Sequence, residues 1–138
     1  MSPKFHMAFP IHNIELSREF YIKVLGCTLG RESDKWIDFN LYGHQVLAHL
    51  SPEDCIIPKT NPVDGDQIPE RDFGVILPWD QWEDWYKKIK IDGVDFLIGP
   101  RKRFKKSSGG QGTFFIDDHN ENVLEFKSLK NKNDIFMK

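Results

Sequence analysis

The sequence predicts an α+β fold of two βαβββ modules, and three observations carry that prediction. Both halves of the chain show one order of elements: strand, helix, then three short strands. Landmarks recur at a near-constant offset: 66 residues from His6 to Asp72, 65 from Phe20-Tyr21 to Trp85-Tyr86, and 67 from Gly26 to Gly93. Within each half the apolar spacing switches from a period of two to a period near four, as strands packed on a helix require. Residues 1–138 are expected to form a single domain: module one at about 4–50, a connector at 51–71, module two at about 72–127 and a tail at 128–138.

Lys4 to Phe9 reads as the first strand, because Phe5, Met7 and Phe9 alternate with His6 and Ala8. Asn13 can cap a helix that runs to about Leu25. Its apolar stripe is Leu16, Phe20 and Val24, with Tyr21 and Leu25 beside them, and Gly26 stops it. Strands follow at Cys27–Glu32, Trp36–Leu41 and Gln45–Leu50, the last two joined by a turn at Tyr42-Gly43. Ser51 to Arg71 holds Pro52, Pro58, Pro62 and Pro69 and reads as a long surface loop, either a cover for a binding site or a passive linker. Asp72–Leu77 is the next strand. Trp79–Ile91 is a helix with Trp82, Trp85, Tyr86 and Ile89 on one face, and Gly93 ends it. Strands at Val94–Ile98, Thr113–Asp117 and Asn122–Lys127 complete module two, the last pair turning through Asp118-His119-Asn120. The tail is polar apart from Ile135-Phe136-Met137.

Composition narrows the function. Nineteen Lys and Arg against 21 Asp and Glu give a net charge of −2, which argues against nucleic acid as a partner. The longest apolar run is the five residues Phe73 to Leu77, so no membrane-spanning helix is expected. The start, Met1-Ser2-Pro3-Lys4-Phe5-His6, lacks the apolar stretch of a signal peptide, and a cytoplasmic location is expected. Two cysteines without a CxxC pair agree with that, and Cys27 reads as a small core residue. No nucleophile elbow, phosphate loop or zinc-finger spacing is present.

The repeat aligns polar residues. His6 and Asp72 sit in the first strand of their modules; His49 and Glu125 sit in the last strands. The offset from His49 to Glu125 grows to 76, which the insertion Arg101 to Gly110 accounts for. Alternation sets these four apart from the bulky faces (Phe5, Met7, Phe9; Phe73, Val75, Leu77; Leu124, Phe126), which want helices. A titratable group in an apolar strand is costly unless it is paired or liganded.

These segments resemble the vicinal oxygen chelate superfamily: glyoxalase I, bleomycin-resistance proteins, fosfomycin-modifying enzymes and extradiol dioxygenases. The resemblance rests on Phe5-His6, on Ser17 to Gly26 with its FYxxVLG pattern, on Trp36 to Phe39, on Gly43-His44-Gln45, on Phe73-Gly74-Val75, and on Thr113 to Lys127 with its closing FxDxxxxNxxEF pattern. It covers roughly residues 4–127. It implies an open, cup-shaped mixed sheet with the helices on its outer face, and a divalent metal held in the cup by first- and last-strand residues. Carried across, His6, His49, Asp72 and Glu125 become the metal ligands, with Asp72 standing where the family usually offers His or Gln. Such a mixed N/O set suits Fe, Mn, Ni, Co or Zn. His6 and Glu125 are then expected to approach each other across the cup.

The resemblance further implies a metal-dependent enzyme acting on a small oxygen-rich substrate, with a glyoxalase-like lyase favoured and Glu125 catalytic. The other readings are a metal-free binder of bleomycin-resistance type and an extradiol ring-cleaving dioxygenase, for which His44 or Tyr42 would supply the acid–base group. A homodimer is expected. Arg101 to Lys106 carries five cations in six residues, either as a solvated loop or as a lid whose Arg103 and Lys105 meet an anionic substrate. His44 is a candidate substrate contact, or a structural hydrogen bond at the hairpin turn. His12 and His119 fall in loops and are expected to be solvated.

Overall fold

The computed structural model describes residues 2–103, 110–131 and 135–136. The chain divides into two compact units: Met1–Ile57 with Asp118–Asn122, and Pro58–Asp117 with Val123–Lys138. It therefore passes between units three times, at 57–58, 117–118 and 122–123.

In unit one, β1 (His6–Ile11), β2 (Thr28–Glu32), β3 (Trp36–Leu41) and β4 (His44–Leu50) form one sheet in the order β1-β4-β3-β2. β1 runs parallel to β4, and the other neighbours are antiparallel. β1 starts two residues later than expected and runs on to Ile11, so Phe9 and Ile11 are buried while Phe5 is exposed. The β3–β4 hairpin turns on Tyr42 (φ 51°) and Gly43 (φ 87°), the positive-φ pair of a two-residue turn that follows strand twist. Asn40 Oδ1 accepts from Gly43 N at 2.6 Å and closes it.

Asn13 caps the first helix as expected, its Oδ1 accepting from Leu16 N at 2.9 Å. Helix α1 (Ile14–Glu19) then widens into a π-helical turn, Phe20–Val24, in which Leu25 N reaches back to Phe20 O at 3.1 Å. The extra residue per turn rotates the packing face. Phe20, Tyr21 and Leu25 are buried as expected, together with Ser17, while Val24 is half-buried and Leu16 is 55% exposed. Tyr21 is fully buried, with its ring 4.9 Å from Phe39 and 5.5 Å from Phe9. Cys27 lies in the same core, and burial pushes its thiol up to about 12, as befits a packing residue.

The Tyr21 hydroxyl donates to Asp118 Oδ2 at 2.7 Å. Asp118 is itself buried and accepts further bonds from Asn122 Nδ2 (2.9 Å), Asn120 N (2.9 Å) and Asn122 N (3.2 Å). Asn122 Nδ2 also donates to Pro10 O at 2.7 Å, and Asn120 Oδ1 accepts from His12 N at 2.9 Å. His12 is thus tied to this loop rather than merely solvated, and the ring of His119 lies edge-on to Phe20 at 5.9 Å.

In unit two the connector is ordered. It holds a hairpin of β5 (Thr60–Val63) and β6 (Asp66–Pro69), where a loop was expected. Asp64-Gly65 makes its turn, and Ile68 packs on a buried cluster of Ile98, Phe115 and Val123. The main sheet contains β7 (Phe73–Ile76), β8 (Ile98–Arg103), β9 (Gln111–Asp117) and β10 (Val123–Leu129), in the order β7-β10-β9-β8. β7 is parallel to β10, so the second sheet repeats the order and direction of the first. Helix α2 spans Trp79–Ile91, as the periodicity predicts, and buries Trp82 and Ile89 completely. Trp82 Nε1 donates to Phe126 O at 2.9 Å. A Cβ on Gly112 would sit 2.8 Å from the Trp82 ring, so the strand must be bare there.

β8 corrects one expectation. The strand begins where Val94–Ile98 was expected to end, and it takes in Arg101, Lys102 and Arg103. β9 supplies their ladder partners across a bulge after Ile98, and backbone pairing overrides the loop-like composition. Arg101 Nε also meets Asp66 Oδ2 of the connector hairpin at 3.3 Å.

Two substitutions check this packing by urea denaturation. Tyr21→Phe leaves the Asp118 carboxylate short of a buried donor and is expected to cost about 1.5–3 kcal/mol. Leu16→Ala, at an exposed position of the expected stripe, is expected to cost less than about 0.5 kcal/mol.

Candidate functional site

In each unit one sheet face packs on its helix, and strand alternation sends the remaining side chains to the opposite face. In unit one the register lays these out in rows: His6, Gln45 and Asn40; then Ala8, Leu47 and Asp38; then Pro10, His49 and Trp36.

Asp38 is only 6% exposed on this face. Its Oδ1 accepts from Arg31 N at 2.5 Å, and its Oδ2 accepts from Gln45 Nε2 at 3.0 Å, one diagonal away. Gln45 Oε1 lies 2.8 Å from His6 Nδ1. Gly30 makes room, since a Cβ there would fall 1.8 Å from Asp38 Oδ1. A cavity of about 220 Å³ opens beside Asp38 and Gln45 and is also lined by His44. His44 Nδ1 accepts from Phe5 N at 3.0 Å, so the ring makes the structural bond and borders the cavity as well.

In unit two, Glu125 pairs with Gly74 on β7 and Phe115 on β9. Its side chain is 14% exposed and well partnered: Thr113 Oγ1 donates to Oε2 at 2.5 Å, and Lys127 Nζ lies 3.7 Å from Oε1. Asp72, just before β7, faces the same cavity as the Glu125 carboxylate. Burial first, and then the charge of Glu125, raise the Asp72 carboxyl from 3.8 to about 6, against the opposing pull of Lys127. The carboxyl pair and Lys127 line a cavity of about 240 Å³.

The structure thus brings Asp72 and Glu125 together. His6, four residues from His49 in the β1–β4 register, stands roughly 13 Å from it along the strands. The place in unit one that matches Glu125 belongs to Leu47, which pairs with Ala8 as Glu125 pairs with Gly74. Lys105 and the side chain of Arg103 lie outside the described residues. Among the described residues, no three His, Cys, Asp or Glu side chains gather as a metal site. The donor chemistry of unit two nevertheless suits a cation. Two carboxyl groups share one half-buried place, and one of them is held reluctant to ionise, a conflict that a divalent ion resolves. Asp38, Gln45, Thr113 and Lys127 were not singled out from sequence, although a polar residue among Trp36, Ile37 and Phe39 marks Asp38 as unusual.

The family profile of the Glyoxalase/Bleomycin resistance protein/Dioxygenase superfamily matches residues 5–126. The chain belongs to this superfamily. A solved glyoxalase/bleomycin resistance protein/dioxygenase from Alicyclobacillus acidocaldarius is 27% identical, with a TM-score of 0.81 over 97% of this chain and 96% of that one. The fold also matches a lactoylglutathione lyase from Agrobacterium tumefaciens, at 13% identity and TM-score 0.66 over 94% and 96% of the two chains. The fosfomycin resistance protein FosX from Listeria monocytogenes matches at 12% identity and TM-score 0.65 over 93% of each. No curated protein sequence matches. Superfamily members commonly bind divalent metals; many are enzymes and some are not. Among the described residues of this member, no helix is long and apolar enough to cross a membrane.

Asp72 makes stability depend on pH. Below about 3.8 the carboxyl is protonated in both folded and unfolded chains and costs nothing. As pH rises towards 6 the unfolded chain ionises first, so stability falls and then levels off above about 6. In EDTA-treated protein, Asp72→Asn is expected to be more stable than the parent by about 1–2 kcal/mol at pH 7, allowing for solvent screening. The gain should vanish near pH 3.5, read as urea midpoints at the two pH values.

Proposed function

We propose that this chain is a divalent-metal-dependent enzyme acting on a small oxygen-rich substrate, with glyoxalase-like lyase chemistry. The observation that carries the reading is the pair of carboxyl groups, Asp72 and Glu125, lining one cavity on the open face of unit two. Glu125, Asp72 and His6 would hold the metal, with His6 approaching Glu125 across the cup that the family fold implies. His49 is left out of the set, because it stands four residues along the register from His6. A bound divalent ion would polarise substrate oxygens and stabilise charge developing on them.

The chain's own groups account for the proton traffic. Glu125, as general base, takes a proton from a carbon beside a carbonyl and returns it to the neighbouring carbon, a net isomerisation that consumes no other reagent. Thr113 and Lys127 keep the Glu125 carboxylate aimed. His44 borders the unit-one cavity as a substrate contact, and Arg103 and Lys105 are assigned to an anionic end of the substrate by their charge. Cytoplasmic location and a homodimer belong to the same proposal; light scattering should then give twice 16.2 kDa.

One observation favours the metal-free binder instead. Glu125 already has two partners, Thr113 on Oε2 and Lys127 beside Oε1, and so is satisfied without a cation. Metal analysis of untagged protein separates the readings. The enzyme reading expects about one divalent ion per chain, loss of that ion in Glu125→Gln, and an activity drop of about 100-fold or more with methylglyoxal and a thiol. Protein that binds neither Zn(II), Ni(II), Mn(II) nor Fe(II) would sink it.

A further inference from the structure

We infer that Asp38 and Gln45 are positioning residues that place the proton of His6 on Nδ1, so that Nε2 presents a bare lone pair. The assignment comes from hydrogen bonds within unit one; its purpose, readying His6 to bind a metal, rests on the function proposed above.

The inference starts at the buried end. A carboxylate oxygen can only accept. Asp38 takes the Arg31 N–H on Oδ1, and its Oδ2 faces the Gln45 side chain at 3.0 Å. The part of the Gln45 amide that meets Oδ2 must therefore be its NH2. The amide is planar, with nitrogen and oxygen on opposite sides, so Oε1 is turned towards His6 Nδ1, 2.8 Å away. A carbonyl oxygen also only accepts, so Nδ1 must carry the hydrogen. A neutral imidazole has one N–H, which leaves Nε2 unprotonated.

Each link is set by something that does not readily rearrange. Asp38 is buried, held by a backbone N–H, and seated over Gly30, where no side chain fits. Gln45 stands directly beside His6 in the parallel register. The polarity is therefore dictated from the buried residue outward to the exposed ring. It opposes the preference of a free histidine side chain, whose proton favours Nε2. A metal takes imidazole through an unprotonated nitrogen, and a ligating ring is commonly fixed by a bond from its other N–H.

The test is the tautomer itself, read by long-range 1H–15N correlation on full-length, metal-free protein at pH 8, where imidazoles are neutral. His6 is expected to show an N–H-type Nδ1 and a bare Nε2. Asp38→Asn is the informative variant. Its Oδ1 would still accept from Arg31 N, but its NH2 would now face Gln45. That turns the Gln45 amide over, presents the Gln45 NH2 to Nδ1, and moves the His6 proton to Nε2. Gln45→Leu is expected to restore the free-histidine preference. A ring with its proton on Nε2 in the parent, or an unchanged tautomer in both variants, overturns the inference. Titration with Zn(II) alone is a separate readout: both variants should bind about 10–100-fold more weakly than the parent. If the parent shows the Nδ1–H ring but takes up no Zn(II), the metal reading fails and the positioning assignment stands.

Discussion

The buried Asp118 carboxylate is the interaction on which most of unit one depends. A charge out of water is tolerated only when donors replace its hydration. Here there are four: the Tyr21 hydroxyl, the Asn122 side-chain amide, and the backbone N–H groups of Asn120 and Asn122. The same five-residue loop reaches Pro10 through Asn122, and Ser17 through Asn120 at 3.3 Å. It thus ties the first strand and the first helix together, around the ring stack of Tyr21, Phe39 and Phe9. Left-handed backbone at His119 (φ 68°) and Glu121 (φ 67°) is the local strain that this network outweighs.

The two sheets share order and direction but carry different chemistry on their open faces. Unit one offers a graded chain from a buried carboxylate through an amide to an exposed imidazole. Unit two offers two carboxyl groups in conflict, moderated by a hydroxyl and an ammonium. The two sheets repeat one strand order and direction while displaying different polar residues. Membership of the superfamily therefore predicts the backbone of both units better than it predicts the groups displayed on them.

Much of this was legible in the sequence. The repeat and the change of hydrophobic period give both sheets, the second helix to the residue, and Asp72 and Glu125 as neighbours in role. What escaped was set by contacts that no local pattern encodes. A spacing of four puts Leu16 on a stripe with Phe20, whereas the buried face runs through Ser17, Phe20 and Tyr21. The connector hairpin depends on Ile68 finding Ile98, Phe115 and Val123, all distant in sequence. His49 was aligned with Glu125 by counting along the chain, whereas ladder register matches Leu47 to that place. The Asp38–Gln45 link is a diagonal across two strands, which spacing alone cannot show.

The three passages of the chain between units have a consequence for biogenesis. When residues 1–57 have been made, Asp118, which accepts from the Tyr21 hydroxyl at 2.7 Å, has not. Unit one cannot close vectorially as synthesis proceeds. It must wait until more than half of the remaining chain has emerged, including most of unit two, before its final piece is threaded home. A nascent chain in that interval exposes aromatic surface, and this is the period in which chaperone capture or misassociation would compete with folding.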